Sequence, residues 1–226
     1  MSRVNPEKID SFAIGLKSDL ADRRLRINVE GFYYNYKDIQ VEAIDPATSL
    51  PLTLNAAKAE IAGFEAEITA IPTPALQLTA GLSWIPKAEY ESFPGALTFV
   101  PQAGGGATQI NEDASGNRLI NTAKFSFTLG AFYSIETRSG DFDINVNYAY
   151  NDGYFFDFGN RIKEKSFGLL GARVTWTDTT ETFKISVYGQ NLTGTEYHSR
   201  YFPSDFVIGA SPGAPRTYGI SAGVMF

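Results

Sequence analysis

The chain has 226 residues, a formal net charge of −6 and no cysteine. The lack of cysteine excludes a disulfide-stapled scaffold and a thiolate metal site. The acidic balance gives no electrostatic reason to expect a nucleic-acid partner. Aromatic residues make up 14% of the sequence, a share that suits a protein with aromatic girdles at two membrane interfaces.

Apolar and polar residues alternate with a period of two along most of the chain. In the segment Leu76–Trp84 the apolar residues occupy every second position, which places them on one face of a single strand. The pattern predicts nine strands, at about 12–17, 24–34, 62–70, 76–84, 124–133, 141–148, 172–176, 183–188 and 218–226. No segment shows a helical period that would compete with these strand assignments.

The predicted connections alternate between short and long. Short turns are expected at 19–23, 72–75, 136–140 and 178–181, and long loops at about 42–53, 91–120, 152–165 and 192–215. Short turns on the periplasmic side and long loops on the outer side are typical of outer-membrane barrels. The sequence therefore predicts an all-β fold, an antiparallel transmembrane β-barrel, in the cell outer membrane of a Gram-negative bacterium.

A soluble β-sandwich is the main alternative fold, since it also has alternating strands. Many predicted strands, however, exceed the usual length of about five or six residues. The apolar faces also place aromatic residues near the strand ends. These are Tyr133, Trp176, Phe183 and Phe226 by the short turns, and Trp84 and Tyr148 toward the long loops. Both features favour the membrane barrel.

An odd number of strands cannot close with antiparallel neighbours only, and bacterial single-chain barrels use an even number. The first residues do not resemble a secretory signal, although a barrel protein must be exported. We therefore expect upstream strands to be missing from this chain and the sheet to remain open or to be forced into a small closure.

Four segments resemble TonB-dependent outer-membrane receptors. They are Gly31–Gln40, Asn55–Glu67, Gly189–Tyr197 and the end of the chain, Pro212–Phe226. The resemblance covers essentially the whole chain, and the four motifs in this order are more specific than any one alone. It implies that residues 1–226 are the C-terminal portion of a 22-stranded barrel, without the plug domain and the segment that contacts TonB.

In such receptors the substrate binds the outer loops and the plug, and TonB then drives uptake. The resemblance implies a transport receptor, most often for a ferric siderophore, that has outer-membrane lipid and the barrel-assembly machinery as further partners. The alternating residues of the last strand resemble the signal that this machinery reads: Tyr218, Ile220, Ala222, Val224 and Phe226. The same residues also suit a lipid-facing surface.

Two clusters in the long loops are candidates for substrate contacts, because loops on a rigid scaffold carry function. Aromatic rings and arginine side chains could contact the rings and the negative charge of a siderophore. The candidates are Tyr154, Phe156, Asp157 and Arg161 in one loop, and His198, Arg200 and Tyr201 in another. Alternatively, these aromatic residues pack the loops or lie at the outer membrane interface.

No catalytic residue, metal site or cofactor is predicted. His198 is the only histidine and has no partners at metal-ligand spacing, and no serine lies in a nucleophile-elbow context. Acidic pairs such as Glu65 and Glu67 are better explained as lumen residues than as a glycosidase pair. A small autonomous barrel, either a porin or a barrel enzyme, is the alternative function. The sequence alone does not identify the substrate.

Overall fold

The computed structural model describes residues 4–44, 51–204 and 206–225. Across these residues there is no helix that is long and apolar enough to cross a membrane. The described strands are β1 (Lys8–Leu20), β2 (Leu25–Ile44), β3 (Pro51–Thr73), β4 (Leu76–Ser92), β5 (Ala96–Pro101), β6 (Ala107–Glu112), β7 (Phe125–Thr137), β8 (Gly140–Asn151), β9 (Phe167–Thr177), β10 (Phe183–Gln190), β11 (His198–Pro203), β12 (Ile208–Pro212) and β13 (Thr217–Val224).

Nine of these strands form one antiparallel sheet in the order β1-β2-β3-β4-β7-β8-β9-β10-β13. Each is paired with its predecessor in the sheet, so the chain runs up and down without crossovers. This confirms the nine strands predicted from the alternation. The strands are longer than the predicted cores, and β3 reaches 23 residues.

The sheet is open. Within the described residues β1 pairs only with β2, and β13 pairs only with β10. Because β1 and β13 are the first and the ninth strands of an antiparallel sheet, they run in the same direction. An odd number of further strands would be needed to join them with antiparallel neighbours only.

The two faces of the sheet differ in chemistry, as the period of two requires. One face carries large apolar side chains that are exposed, including Ile14 at 81% and Ile220 at 74%. The opposite, polar face lines a cleft of about 440 Å³ whose walls include Lys17, Glu30, Glu65 and Glu67. An exposed apolar surface of this extent marks a region that contacts something other than water.

The short connections are tight turns at one end of the sheet. In the turn between β1 and β2, the residues Ala21, Asp22 and Arg23 all have positive φ angles, between 52° and 67°. Between β7 and β8, Gly140 has a φ of 122°, a conformation that glycine adopts without a steric penalty. These turns correspond to the predicted short connections.

The long connections contain structure that the sequence did not predict. The long loops predicted at 91–120 and 192–215 contain the β5–β6 and β11–β12 hairpins. The β5–β6 hairpin buries Ala96 and Thr98 completely. Its buried face is made of small side chains, so the apolar alternation that revealed the long strands is absent. The predicted loop at 42–53 is shorter, because β2 extends to Ile44 and β3 begins at Pro51.

A bulge in β4 reverses, for the residues that follow it, which side chains point to the apolar face of the sheet and which to the polar face. Opposite Gly63 of β3, β4 contains the two residues Ile85 and Pro86, between the pairs Phe64–Trp84 and Ala62–Lys87. Proline lacks the amide donor of a ladder and is accommodated at such bulges. Past the bulge, Ala88 and Tyr90 therefore point to the polar face rather than the apolar one.

The buried core lies at the long-connection end of the polar face. It contains Val41, Ala57, Ala59, Tyr90, Phe93, Ala96 and Ala114. The Phe158 ring, from the β8–β9 loop, packs edge-on against Phe93 with ring centroids 5.0 Å apart and against Tyr90 at 5.8 Å. The core thus joins the β4 end, the β5–β6 hairpin and the β8–β9 loop into one unit.

Candidate functional site

Three long connections meet above the sheet. The amide of Asn121 donates to the carbonyl of Phe155 at 2.8 Å, which joins the β6–β7 connection to the β8–β9 loop. The amide of Ala107 donates to the carbonyl of Ser204 at 2.7 Å, which joins the β5–β6 hairpin to the β11–β12 hairpin. These bonds hold residues from distant parts of the sequence in one surface.

Arg118 fixes the base of this surface. Its guanidinium donates to the carbonyl oxygens of Ile85 at 2.7 Å, Thr122 at 3.0 Å and Ala123 at 3.1 Å. Its backbone exchanges two hydrogen bonds with the Asn160 side chain. Burial lowers the pKa of Arg118 from its ordinary value, and the surrounding carbonyl oxygens satisfy the donors of the buried guanidinium. No motif in the sequence marks this residue, because its partners are backbone carbonyl groups that only the fold brings together.

Four of the predicted substrate residues lie side by side in what we call the aromatic row: Tyr154, Phe156, Tyr201 and His198. The ring centroids of Tyr154 and Phe156 are 5.0 Å apart, those of Phe156 and Tyr201 4.8 Å, and those of Tyr201 and His198 5.0 Å. The structure therefore brings together the two sequence clusters, one from the β8–β9 loop and one from β11. Packed rings of this kind present a rigid surface to a ligand.

Glu164 contacts the end of the aromatic row. One carboxylate oxygen, Oε2, accepts the backbone N–H of His198 at 2.9 Å and lies 3.2 Å from its ring Nδ1. The hydroxyl of Tyr201 lies 3.0 Å from the same Nδ1. Glu164 is only 5% exposed, and no motif in the sequence marks it.

Asp157 is buried and shapes the loop that carries it. The Oδ1 atom accepts the backbone N–H groups of Arg161 at 2.9 Å and Ile162 at 2.7 Å. Asp157 is 5% exposed, and its Oδ2 has no hydrogen-bond partner within the described part of the chain. Its carboxylate is thus turned into the loop rather than toward a substrate.

Arg161 in the β8–β9 loop forms an ion pair with a residue of the β5–β6 hairpin. Its guanidinium forms a bidentate ion pair with Glu112 at the end of β6, with Nη2 2.8 Å from Oε2 and Nη1 bonded to Oε1. This pairing lowers the pKa of Glu112 to about 2 and raises the pKa of Arg161. The pair ties the β8–β9 loop to the β5–β6 hairpin.

Arg200 lies apart from the aromatic row. Its guanidinium covers the ring of Phe202 at 4.5 Å from the centroid, and both residues are exposed. Because side chains alternate along a strand, Arg200 and Phe202 lie on the side of β11 opposite Tyr201. The strand register shifts between His198 and Arg200, and this shift places His198 on the same side as Tyr201.

The residues of the expected assembly signal lie on the exposed apolar face of β13. Tyr218 is 80% exposed, and Ile220, Ala222 and Val224 follow on the same side of the strand. Phe226, the fifth residue of that prediction, lies outside the described residues.

No three side chains of His, Cys, Asp or Glu converge in a way that could hold a metal ion in residues 4–44, 51–204 and 206–225. The aromatic row and Glu164 together form a polar and aromatic surface in the long connections.

An antiparallel sheet with an exposed apolar face, a polar opposite face, tight turns at one end and folded connections at the other defines a partial β-barrel of the transmembrane class. The chain belongs to the TonB-dependent receptor barrel family, because the family model described as "TonB dependent receptor-like, beta-barrel" matches residues 3–192. Members of this family are outer-membrane transport receptors rather than enzymes.

Solved structures of siderophore receptors share the fold. The ferric yersiniabactin uptake receptor FyuA from Yersinia pestis matches 97% of this chain at 22% identity, with a TM-score of 0.78. The siderophore receptor PiuA from Acinetobacter baumannii matches 97% at 20% identity, with a TM-score of 0.75. The ferric-catecholate import receptor Fiu from E. coli K12, in its closed form, matches 99% at 18% identity, with a TM-score of 0.71.

The chain spans less than a third of the length of these receptors: 30% of FyuA, 28% of PiuA and 28% of Fiu. At these identities the similarity shows the fold and not the ligand.

Proposed function

We propose that this chain is the C-terminal portion of the barrel of a TonB-dependent receptor that imports a ferric siderophore across the outer membrane of a Gram-negative bacterium. The observation that carries the proposal is the aromatic row, which is assembled from two long connections on a scaffold of this family's fold. A receptor for a ring-containing, negatively charged chelate needs such a surface on its outer side.

The proposal includes partners beyond the ligand. TonB would act through a plug domain encoded outside these residues, lipid would cover the apolar face, and the barrel-assembly machinery would read the last strand. Two facts support a larger assembly: both edges of the sheet are unpaired within the described residues, and the chain spans less than a third of FyuA, PiuA and Fiu. An unsatisfied backbone group in hydrocarbon costs several kcal/mol, so both edges need strand neighbours.

A small autonomous barrel, whether a porin or an enzyme, receives no support from a specific observation. The described strands form an odd-numbered open sheet rather than a closed one.

Uptake of radioactive iron tests the proposal. Cells that carry the gene should accumulate iron from at least one ferric siderophore under iron limitation, and deletion of either this gene or tonB should abolish that uptake. Growth and uptake that are unchanged in the deletion strain with every siderophore class tested would contradict it.

Substitutions in the aromatic row locate the binding surface. Phe156→Ala removes a central ring, and because an aromatic contact contributes about 0.5–1.5 kcal/mol, siderophore affinity should fall roughly two- to twelvefold. Arg200→Ala is the matched control, since Arg200 lies on the other side of β11. Equal losses in both variants would show that the aromatic row is not the binding surface.

A further inference from the structure

Asp157 has one carboxylate oxygen without a hydrogen-bond partner. Its Oδ1 accepts the backbone N–H groups of Arg161 and Ile162, whereas its Oδ2 is buried and meets no donor among the described residues. A buried carboxylate oxygen that lacks a donor raises the free energy of the fold. The β8–β9 loop therefore holds an unused acceptor for a strong hydrogen-bond donor.

Arg161 brings such a donor next to the unused oxygen. Gly159 has no side chain, and the position that a Cβ would take there touches Nη1 of Arg161 and lies 3.0 Å from both Asp157 Oδ2 and Glu112 Oε1. The guanidinium is bonded to Glu112 through both Nη atoms. This hydrogen bonding is the main cause of the raised pKa of Arg161, and the charge of Asp157 adds to it. One arginine thus borders two carboxylates and is bonded to only one of them.

We propose that Arg161 is a two-position latch between the outer connections. In the position that the structure shows, it pairs with Glu112 and ties the β8–β9 loop to the β5–β6 hairpin. In the second position it pairs with Asp157 Oδ2, and the tie is loosened. Asp157 Oδ1 keeps its two backbone N–H groups in both positions, so the loop does not have to refold when the guanidinium moves.

The two positions differ in geometry and burial. The pair with Glu112 is bidentate, which strengthens it, but the two side chains remain 33% and 25% exposed, so water screens their attraction. The pair with Asp157 has a single hydrogen bond, but it is buried and satisfies an oxygen that otherwise has no donor. Because one ion pair replaces another, the two positions are close enough in free energy for both to be populated.

The loosened contact is confined to the β5–β6 hairpin. The backbone of Arg118 exchanges two hydrogen bonds with the Asn160 side chain, so the β6–β7 connection holds the β8–β9 loop in both positions. The part that gains freedom is β6, which ends at Glu112. The role of the latch, the admission of a chelate to the aromatic row, rests on the proposed function; the exchange of partners does not.

Amide hydrogen exchange in β6 tests the latch, because exchange through rare openings reports the fraction of molecules in which the tie is loose. Glu112→Gln removes the first partner, so exchange of the 107–112 amides in the purified outer-membrane protein should accelerate at least roughly tenfold. Asp157→Asn removes the charge of the second partner and keeps an oxygen for the two loop amides. Exchange in β6 should then slow at least roughly threefold, whereas a variant that only weakens the fold would accelerate it.

Arg161→Gln supplies the matched control. Without the guanidinium, Asp157→Asn has no competing pair to remove, so the double variant should exchange in β6 like Arg161→Gln alone. Arg161→Lys is a second test, because lysine keeps the charge but cannot form the bidentate pair. Exchange in β6 should accelerate in Arg161→Lys, and adding Asp157→Asn should reverse part of that acceleration.

Unchanged or faster β6 exchange in Asp157→Asn would overturn the latch, and so would equal slowing in the Arg161→Gln background. An Asp157→Asn protein without a heat-modifiable folded band would also overturn it, because the charge would then serve the fold and not the exchange. Iron uptake is measured separately. Uptake without the expected exchange pattern overturns only the latch, and the expected pattern without uptake overturns only the proposed function.

Discussion

The Asp157 carboxylate determines the shape of the β8–β9 loop. Its Oδ1 accepts two backbone N–H groups, and Asp157→Ala would leave both without an acceptor in a region where Ile162 is only 6% exposed. An unsatisfied buried donor costs about 1–3 kcal/mol. Amide hydrogen exchange at 157–164 should therefore accelerate at least roughly tenfold, as measured by mass spectrometry.

Asp157→Asn distinguishes the role of the hydrogen-bond acceptor from the role of the negative charge. The amide oxygen can still accept both N–H groups, so exchange in the loop should change much less than in Asp157→Ala. Equal acceleration in the two variants would show that the negative charge, and not the acceptor, holds the loop.

The Glu112–Arg161 pair predicts how the loop contact responds to pH. With Arg161 as its partner, Glu112 has a pKa lowered to about 2, from an ordinary value of 4.5. A lowered pKa means that the pair contributes its full stabilisation above the ordinary value and loses it as the pH falls from 4.5 toward 2. Protection of the 157–163 amides should stay constant between about pH 5 and pH 8 and decrease in more acidic solution.

Glu112→Gln removes the titrating group and serves as the control. In this variant, loop protection should be lower at neutral pH and should lose the acid-dependent step that comes from the pair. A step of unchanged size in Glu112→Gln would assign it to another carboxylate.

The sequence revealed the aromatic members of the site but not the acidic ones. Tyr154, Phe156, His198 and Tyr201 were identified because aromatic clusters in loops are visible locally. Glu164 and Glu112 were not, because their partners lie 34 and 49 residues away. Only the folded connections place these carboxylates beside His198 and Arg161.

The strands of the sheet and the hairpins above it differ in how well the sequence predicts them. A strand between lipid and lumen needs apolar side chains at every second position, and that requirement made all nine sheet strands predictable. The β5–β6 and β11–β12 hairpins pack against other loops. Small residues such as Ala96 and Thr98 fill their buried positions, so no apolar alternation marks them.

The β7–β8 turn depends on Gly140. Its φ of 122° disfavours any other residue, and a Cβ atom there would contact the Thr177 carbonyl and lie 2.8 Å from Trp176 Nε1. Strain of this kind costs about 1–3 kcal/mol. Gly140→Ala should lower the denaturant midpoint of unfolding and the fraction that migrates as a heat-modifiable folded band.

Gly104→Ala is the comparison for that turn. No atom lies within 4 Å of the position that its Cβ would occupy, so this variant should unfold like the parent protein. If Gly140→Ala unfolds at the same denaturant concentration as well, the β7–β8 turn can adapt to a side chain.

At the scale of the whole molecule, the sheet combines an exposed apolar face with two edges that are unpaired in the part of the chain that the structure describes. The alternation predicted both faces, and the odd number of strands predicted that the sheet would not close. The sequence could not predict how the long connections join one another, because bonds such as that from Ala107 to Ser204 depend on backbone positions rather than side-chain types.

The assignment of the apolar face to lipid is testable on β13 with two adjacent residues. Ile220 is 74% exposed on the apolar face, while Ser221 points to the polar face. An arginine on the lipid face costs about 2–4 kcal/mol at the bilayer midplane, but an arginine on the lumen face is solvated. Ile220→Arg should therefore reduce the amount of folded, heat-modifiable protein in outer membranes severalfold, and Ser221→Arg should leave it nearly unchanged. Equal amounts of the two folded variants would mean that lipid does not cover the apolar face.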